Sequence, residues 1–125
     1  MSDPMRATIA VVDDDPRILE ALQELLESAG YEVRIHASGG SLLTSGIADI
    51  DCLITDIGMP GMDGFELRDA VKRIRPRLQV FLISGRRDLS HERHTDILGD
   101  SEFFRKPFDG QALLAAIDEA LGRTQ

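Results

Sequence analysis

The sequence holds a single cysteine, Cys52, among its 125 residues, so no internal disulfide can staple the chain. Inside the run Cys52-Leu53-Ile54 that thiol reads as a small buried hydrophobe in a reducing compartment. Long apolar runs are missing too. None approaches the roughly 18 residues that cross a bilayer, and Met1 to Arg6 lack the apolar stretch of a signal peptide, so a cytoplasmic chain is expected. Basic residues are in deficit: 14 Lys plus Arg stand against 22 Asp plus Glu, a formal net charge of −8. Without a basic stripe to release counterions, direct contact with nucleic acid or a membrane surface is not expected. Repeats, low-complexity tracts and linkers are also lacking. The length therefore suits one domain over residues 1–125, with a core from about residue 8 to about residue 122 and no output domain in this chain. What is present is a globular balance, 42% hydrophobic and 29% charged, enough for a core and against disorder.

Five apolar, β-branched runs recur at near-regular intervals: Thr8 to Val12, Glu32 to His36, Asp51 to Thr55, Gln79 to Ser84 and Glu102 to Arg105. Helical patterns separate them. The clearest has Asp15 as N-cap and Pro16 at the first helical position, sets Ile18, Leu19, Leu22, Leu25, Leu26 and Ala29 on one face, and ends at Gly30. Another carries Phe65, Ala70, Val71 and Ile74 and stops before Pro76; a last is capped by Asp109 and carries Leu113, Leu114, Ile117 and Leu121. Ser38 to Gly46 is glycine-rich, and Asp88 to Gly99 has a thin apolar face, so both are expected to be poor helices. Strands alternating with helices predict a flavodoxin-like, doubly wound α/β fold with helices on both faces of a parallel sheet. Only the second strand alternates polar with apolar residues, which makes it an edge and predicts the order 2-1-3-4-5.

In such sheets the ligand crevice lies at the carboxyl ends of the strands where the order reverses, here between the first and third. Both strands end in aspartate. Asp15 is taken by the helix cap, leaving Asp13, Asp14 and Asp56 to converge. Like charges this close raise one another's pKa, and a hard divalent cation bound through oxygens is the usual remedy. Mg²⁺ suits carboxylates, water and a phosphoryl group best, with Mn²⁺ a possible substitute. The fourth strand ends at Ser84, a hydroxyl donor, and the fifth at Lys106. Three carboxylates, one divalent cation and one ammonium sum to neutrality.

With Val11-Val12-Asp13-Asp14-Asp15, Thr55-Asp56-Ile57-Gly58-Met59-Pro60-Gly61-Met62-Asp63-Gly64 and Lys106-Pro107-Phe108 in this order, the sequence resembles the receiver domain of two-component response regulators, from Ile9 to Leu121. The Lys-Pro-Phe ending is most similar to receivers of the nitrogen-fixation and nitrate regulator type. The resemblance implies that Asp56 is the phosphoacceptor for a sensor histidine kinase or phosphotransfer protein. It implies Mg²⁺ ligation by Asp13, Asp14, Asp56 and the backbone carbonyl of Gly58. It also implies phosphoryl contacts from Lys106 and Ser84, a switch role for Phe103 and a cis bond between Lys106 and Pro107. Output would pass to a protein partner through the face made by the fourth helix, fifth strand and fifth helix, with homodimerisation on phosphorylation possible. Such a domain is a signalling phosphoacceptor, catalysing only its own phosphotransfer and dephosphorylation.

Departures from the family pattern are Gly58, which offers no side chain beside the acceptor, Arg86 and Arg87 after Ser84, and the polar segment Asp88 to Gly99. His91 and His94 read as surface histidines, His36 as exposed on the edge strand, and Met59 and Met62 as loop packing. Phe103 and Phe104 should face opposite sides of the sheet. Two rivals stand beside the main reading. A degenerate receiver would act as a phosphorylation-independent interaction module, and an aspartyl-nucleophile phosphatase would use Asp13-Asp14-Asp15 but needs an acidic pair after the lysine, where Phe108 stands.

Overall fold

The computed structural model describes residues 6–84, 103–106 and 109–122. Along these the chain runs β1 (Thr8–Val12), α1 (Pro16–Ser28), β2 (Glu32–His36), α2 (Gly39–Ser45), β3 (Cys52–Asp56), α3 (Gly64–Ile74), β4 (Gln79–Ser84), β5 (Phe103–Arg105) and α4 (Gly110–Ala120). All pairings are parallel and the order is β2-β1-β3-β4-β5, the doubly wound arrangement the strand pattern calls for. The segment Asp88 to Gly99, with His91 and His94, lies outside the described residues, as do Arg86, Arg87 and the Lys106–Pro107 bond.

Because side chains alternate across a strand, the sheet divides the core in two. Ala10, Val12, Leu53, Val80 and Leu82 pack with α2 and α3 on one face. Ile9, Val11, Ile54, Phe81 and Ile83 pack with α1 and α4 on the other. Phe103 joins the first cluster and Phe104 the second, one aromatic to each side as expected. Cys52 is fully buried, as is most of Met59, and Met62 packs against the first cluster.

The helix starts follow their caps. Asp15 accepts from the Arg17 N–H and Asp109 from the N–H groups of Gln111 and Ala112. Asp63 and Glu66 form a capping box at α3. Glycine-rich Ser38 to Gly46 does form a helix, held by Ser38, whose side chain accepts from Ser41 N–H; it lasts seven residues, short as its composition requires.

Two expectations, the bounds of β3 and the exposure of His36, need correction. β3 starts at Cys52, since Asp51 is occupied in fastening the strand's start to Thr8, and it extends to Asp56. Glu102, the expected start of the fifth strand, lies outside the described residues, which take up β5 at Phe103. Gly30 ends α1 as expected: the helix runs to Ser28 with Ala29 as its C-cap, and Gly30 turns the chain at φ +95°. His36 is half-buried, with Nδ1 2.9 Å from Ser41 Oγ, and burial together with the Arg34 charge lowers its pKa.

Candidate functional site

β1 and β3 lie side by side with Val12 opposite Thr55, so the residues that follow or end them meet at one end of the sheet. Asp13 is 1% exposed and Asp56 5%, while Asp14 is exposed. One oxygen from each of the three carboxylates lies within 4.8 Å of the others. The backbone holds them there. The Asp13 N–H donates to His36 O at 3.1 Å and Ile57 N–H, just past Asp56, donates to Ile83 O at 2.9 Å, so each turn is tied to the next strand.

Lys106 arrives from the far side. Its N–H donates to Ser84 O at 2.7 Å, extending the β4–β5 ladder by one bond and aiming the side chain back across the sheet. Nζ then sits 3.1 Å from Asp13 Oδ2 and 3.1 Å from Asp56 Oδ1. Burial works against the ammonium charge, but the hydrogen bond to Asp56 and the charges of Asp13 and Asp56 outweigh it and raise the Lys106 pKa. For Asp13 burial wins: its pKa is raised although the Asp15 N–H, 2.9 Å from Oδ1, and Lys106 both favour the charged form. One lysine therefore does not satisfy the cluster. Hard oxygen donors with charge left uncompensated fit a divalent cation such as Mg²⁺ or Mn²⁺.

Ser84 is fully buried at the end of β4, and Phe103, half-buried, begins β5 opposite Leu82 and packs against the first core cluster. Gly58 is exposed on the loop after Asp56. Asp15 plays the capping part assigned to it. The cavity lined by Asp51, Arg75, Pro76, Leu78 and Leu121 sits at the opposite end of the strands and shares no residue with this cluster.

Sequence reasoning gave Gly64 no role. A Cβ there would stand 2.4 Å from Asp56 O and 2.8 Å from Ile57 Cα, and the Gly64 N–H donates to Ile57 O at 2.9 Å. The first turn of α3 thus presses on the backbone of Asp56. Only the glycine directly after an N-cap Asp in the Asp63-Gly64 pair could have signalled this.

Fold and site together define a doubly wound α/β domain with an acidic crevice, closed by a lysine, at its switch point. The family model of the response regulator receiver domain matches residues 9–118, and the chain belongs to that family, the receivers of two-component systems. It is 35% identical over 122 residues to the transcriptional regulatory protein FixJ of Azorhizobium caulinodans, covering 97% of this chain and 58% of that protein. Over 118 residues it is 35% identical to the DNA-binding transcriptional regulator NtrC of Rhizobium meliloti, covering 92% of this chain and 24% of that protein. A response regulator receiver domain protein from Clostridium thermocellum, 34% identical, superposes with a TM-score of 0.80 over 94% of this chain and 95% of its own. The chain spans about half the length, or less, of the curated relatives it matches.

Proposed function

We propose that Asp56 accepts a phosphoryl group from a phosphohistidine of a sensor kinase or phosphotransfer protein, and that the modified domain changes its protein contacts. The observation that carries this reading is the Asp56 carboxylate, almost wholly buried at a strand end, with Lys106 Nζ 3.1 Å away and the oxygens of Asp13 and Asp14 beside it. A carboxylate oxygen of Asp56 attacks phosphorus; the phosphorus–nitrogen bond breaks, its electron pair stays on the donor imidazole, and an acyl phosphate remains on Asp56. Asp13, Asp14, Asp56 and the Gly58 carbonyl would hold Mg²⁺ or Mn²⁺. When bound, that cation neutralises charge on the carboxylates and on the phosphoryl oxygens. Lys106 Nζ, 3.1 Å from Asp56 Oδ1, supports this reading as the cation that pairs with the transferred group once Asp56 is phosphorylated.

The new group brings about −1.5 to −2 charges and strong acceptor oxygens. The Ser84 hydroxyl turns toward them, Phe103 follows into the space released, and the surface of β5 and α4 is remodelled for a downstream protein. Gly58 sets no side chain between solvent and Asp56, so water returns the domain to its resting state. Membrane and nucleic acid contacts play no part in this cycle, which runs in the cytoplasm.

The test is incubation with Mg²⁺ and acetyl phosphate, followed by intact mass. A single phosphoryl adduct is expected on the natural chain and none on Asp56→Asn or on chelator-treated protein. Absence of any adduct would favour an interaction module, and an adduct that persists in Asp56→Asn would move the nucleophile elsewhere.

A further inference from the structure

β2 ends the sheet, and among the described residues no strand pairs with its outer side. The Glu32 N–H donates to Ala7 O at 2.9 Å and the His36 carbonyl accepts from Asp13 N–H at 3.1 Å. Glu32, Arg34 and His36 therefore turn their backbone groups inward to β1. Since these groups alternate along a strand, the N–H and C=O of Val33 and Ile35 point outward. An open edge is a template for another strand. Glu-Val-Arg-Ile-His contains no proline or lysine and its register with β1 is unbroken by a bulge, so of the devices that blunt an edge it keeps only its shortness and the charges of Glu32 and Arg34. Ile35 is 42% exposed, one of two large hydrophobics so exposed among the described residues.

We propose that this edge pairs with the same edge of a second copy of the chain, antiparallel about a two-fold axis at Arg34, joining two five-stranded sheets into one. Hydrogen bonding fixes the register. Outward groups must meet outward groups, so Val33 of each copy exchanges both bonds with Ile35 of the other. Full overlap of the strands then sets Arg34 against Arg34 and Glu32 against His36. Sliding to the next allowed register on either side shortens the overlap.

In this register the segment is complementary to itself. Apolar meets apolar twice, and carboxylate meets imidazole twice. His36 Nδ1 already lies beside Ser41 Oγ, which leaves Nε2 for Glu32 of the second copy. The Arg34 pair is the one like-charge contact, and each guanidinium carries Asp49 with it, Nη1 to Oδ2 2.7 Å, so the axis is neutral overall. A closed two-fold pairing uses one patch on both partners. It sends the two acidic crevices to opposite ends of the joined sheet and leaves β4, β5 and α4 at its outer margins, so it competes with neither the site nor the proposed output face and does not depend on phosphorylation.

The interface is small, so sedimentation equilibrium should find a weak dimer, half-formed at about 0.1–1 mM chain. Ile35→Pro removes only an outward N–H and leaves the β1–β2 bonds intact; Ile35→Lys adds a charge instead. Each should weaken association about tenfold or more with unchanged circular dichroism. Arg34→Cys places thiols on the axis at a non-hydrogen-bonded pair, where Cα atoms are about 4.5 Å apart and within disulfide reach. Mild oxidation should then give a covalent dimer, while Ile35→Cys, which faces Val33, should give little. A natural chain that stays monomeric at 1 mM overturns the proposal, as does a dimer indifferent to both Ile35 variants. So does cross-linking of Arg34→Cys no greater than that of Ile35→Cys.

Discussion

Lys106 Nζ meets Asp13 Oδ2 at 3.1 Å across 93 residues of sequence, and the same ammonium lies 3.1 Å from Asp56 Oδ1. One cation serves two carboxylates that are both almost wholly buried. Lys106→Met keeps the apolar stem and deletes the charge, leaving the acids facing each other. The metal-free protein should lose about 2 kcal/mol in urea denaturation, less than a fully buried pair, because the Lys106 side chain is 23% exposed. Added Mg²⁺ should recover part of that loss. In the natural chain the raised Lys106 pKa also sets an alkaline limit: its stabilising contribution is intact below pH 10.5 and is lost as pH rises through the higher folded value. That alkaline loss should be smaller in Lys106→Met. Equal stability of the two proteins would mean that burial consumes everything the pair gains.

Asp13 should behave in the opposite sense. Its carboxylate is 1% exposed and its pKa is raised by burial despite Lys106, so in the metal-free protein the charge is a liability. Asp13→Asn keeps the shape and removes it, and should raise the metal-free Tm by about 3 °C. A folded pKa above the ordinary 3.8 means that the native state holds the proton longer than the unfolded chain. The group's contribution is thus full below pH 3.8 and falls as pH rises through the folded value; that slope should be absent in Asp13→Asn. The Tm gain that Mg²⁺ gives the natural chain should shrink or vanish with it. A lower metal-free Tm for the variant would instead make Asp13 a net stabiliser through Lys106 and the Asp15 N–H.

These residues were legible in the sequence because each sits at a strand end, where hydrophobic run gives way to polar turn: Asp13 after β1, Asp56 closing β3, Ser84 closing β4, Lys106 after β5. The order of strands followed from the one strand that alternates. What stayed hidden depends on tertiary contact. His36 looks like an edge-strand polar residue until Ser41 folds back beside it. The glycines of Ser38 to Gly46 argue against a helix until Ser38 caps one and Leu42 is buried beneath it. Gly64 looks like any turn glycine, since its close approach is to a backbone that the sequence alone does not locate.

Tyr31 offers a check on how the two ends of the α1–α4 face are joined. Its side chain is 1% exposed and its hydroxyl donates to Asp118 Oδ1, tying the corner between α1 and β2 to α4 across 87 residues of sequence. Tyr31→Phe keeps the ring and removes the bond; Asp118 is half-buried, so water can take over its carboxylate. The expected loss is about 1–2 kcal/mol, or about 4 °C in Tm. Adduct formation at Asp56 should be unchanged, because neither residue touches the crevice. A slower reaction in this variant would show that α4 is coupled to the acidic site.

Gly64 makes the sharper demand on function. A methyl group there would meet Asp56 O at 2.4 Å and Ile57 Cα at 2.8 Å, far inside van der Waals contact and against backbone that cannot rotate away. Nor can α3 easily retreat. Asp63 accepts from Glu66 N–H at 2.8 Å and Glu66 Oε1 accepts from Asp63 N–H at 2.9 Å, while Gly64 itself is bonded to Ile57 O. Gly64→Ala should therefore cost about 2 kcal/mol of stability and push the Asp56 backbone out of place. Displacement of a reacting group by a fraction of an ångström should slow phosphoryl adduct formation about tenfold or more. Asp63→Ala separates the two effects, since it loses the helix cap, about 1 kcal/mol, without adding an atom beside Asp56. Stability by urea denaturation and adduct formation by intact mass, compared across the two variants, settle the matter. If Gly64→Ala reacts at the natural rate, the turn has room to give and Gly64 does not hold Asp56 in position.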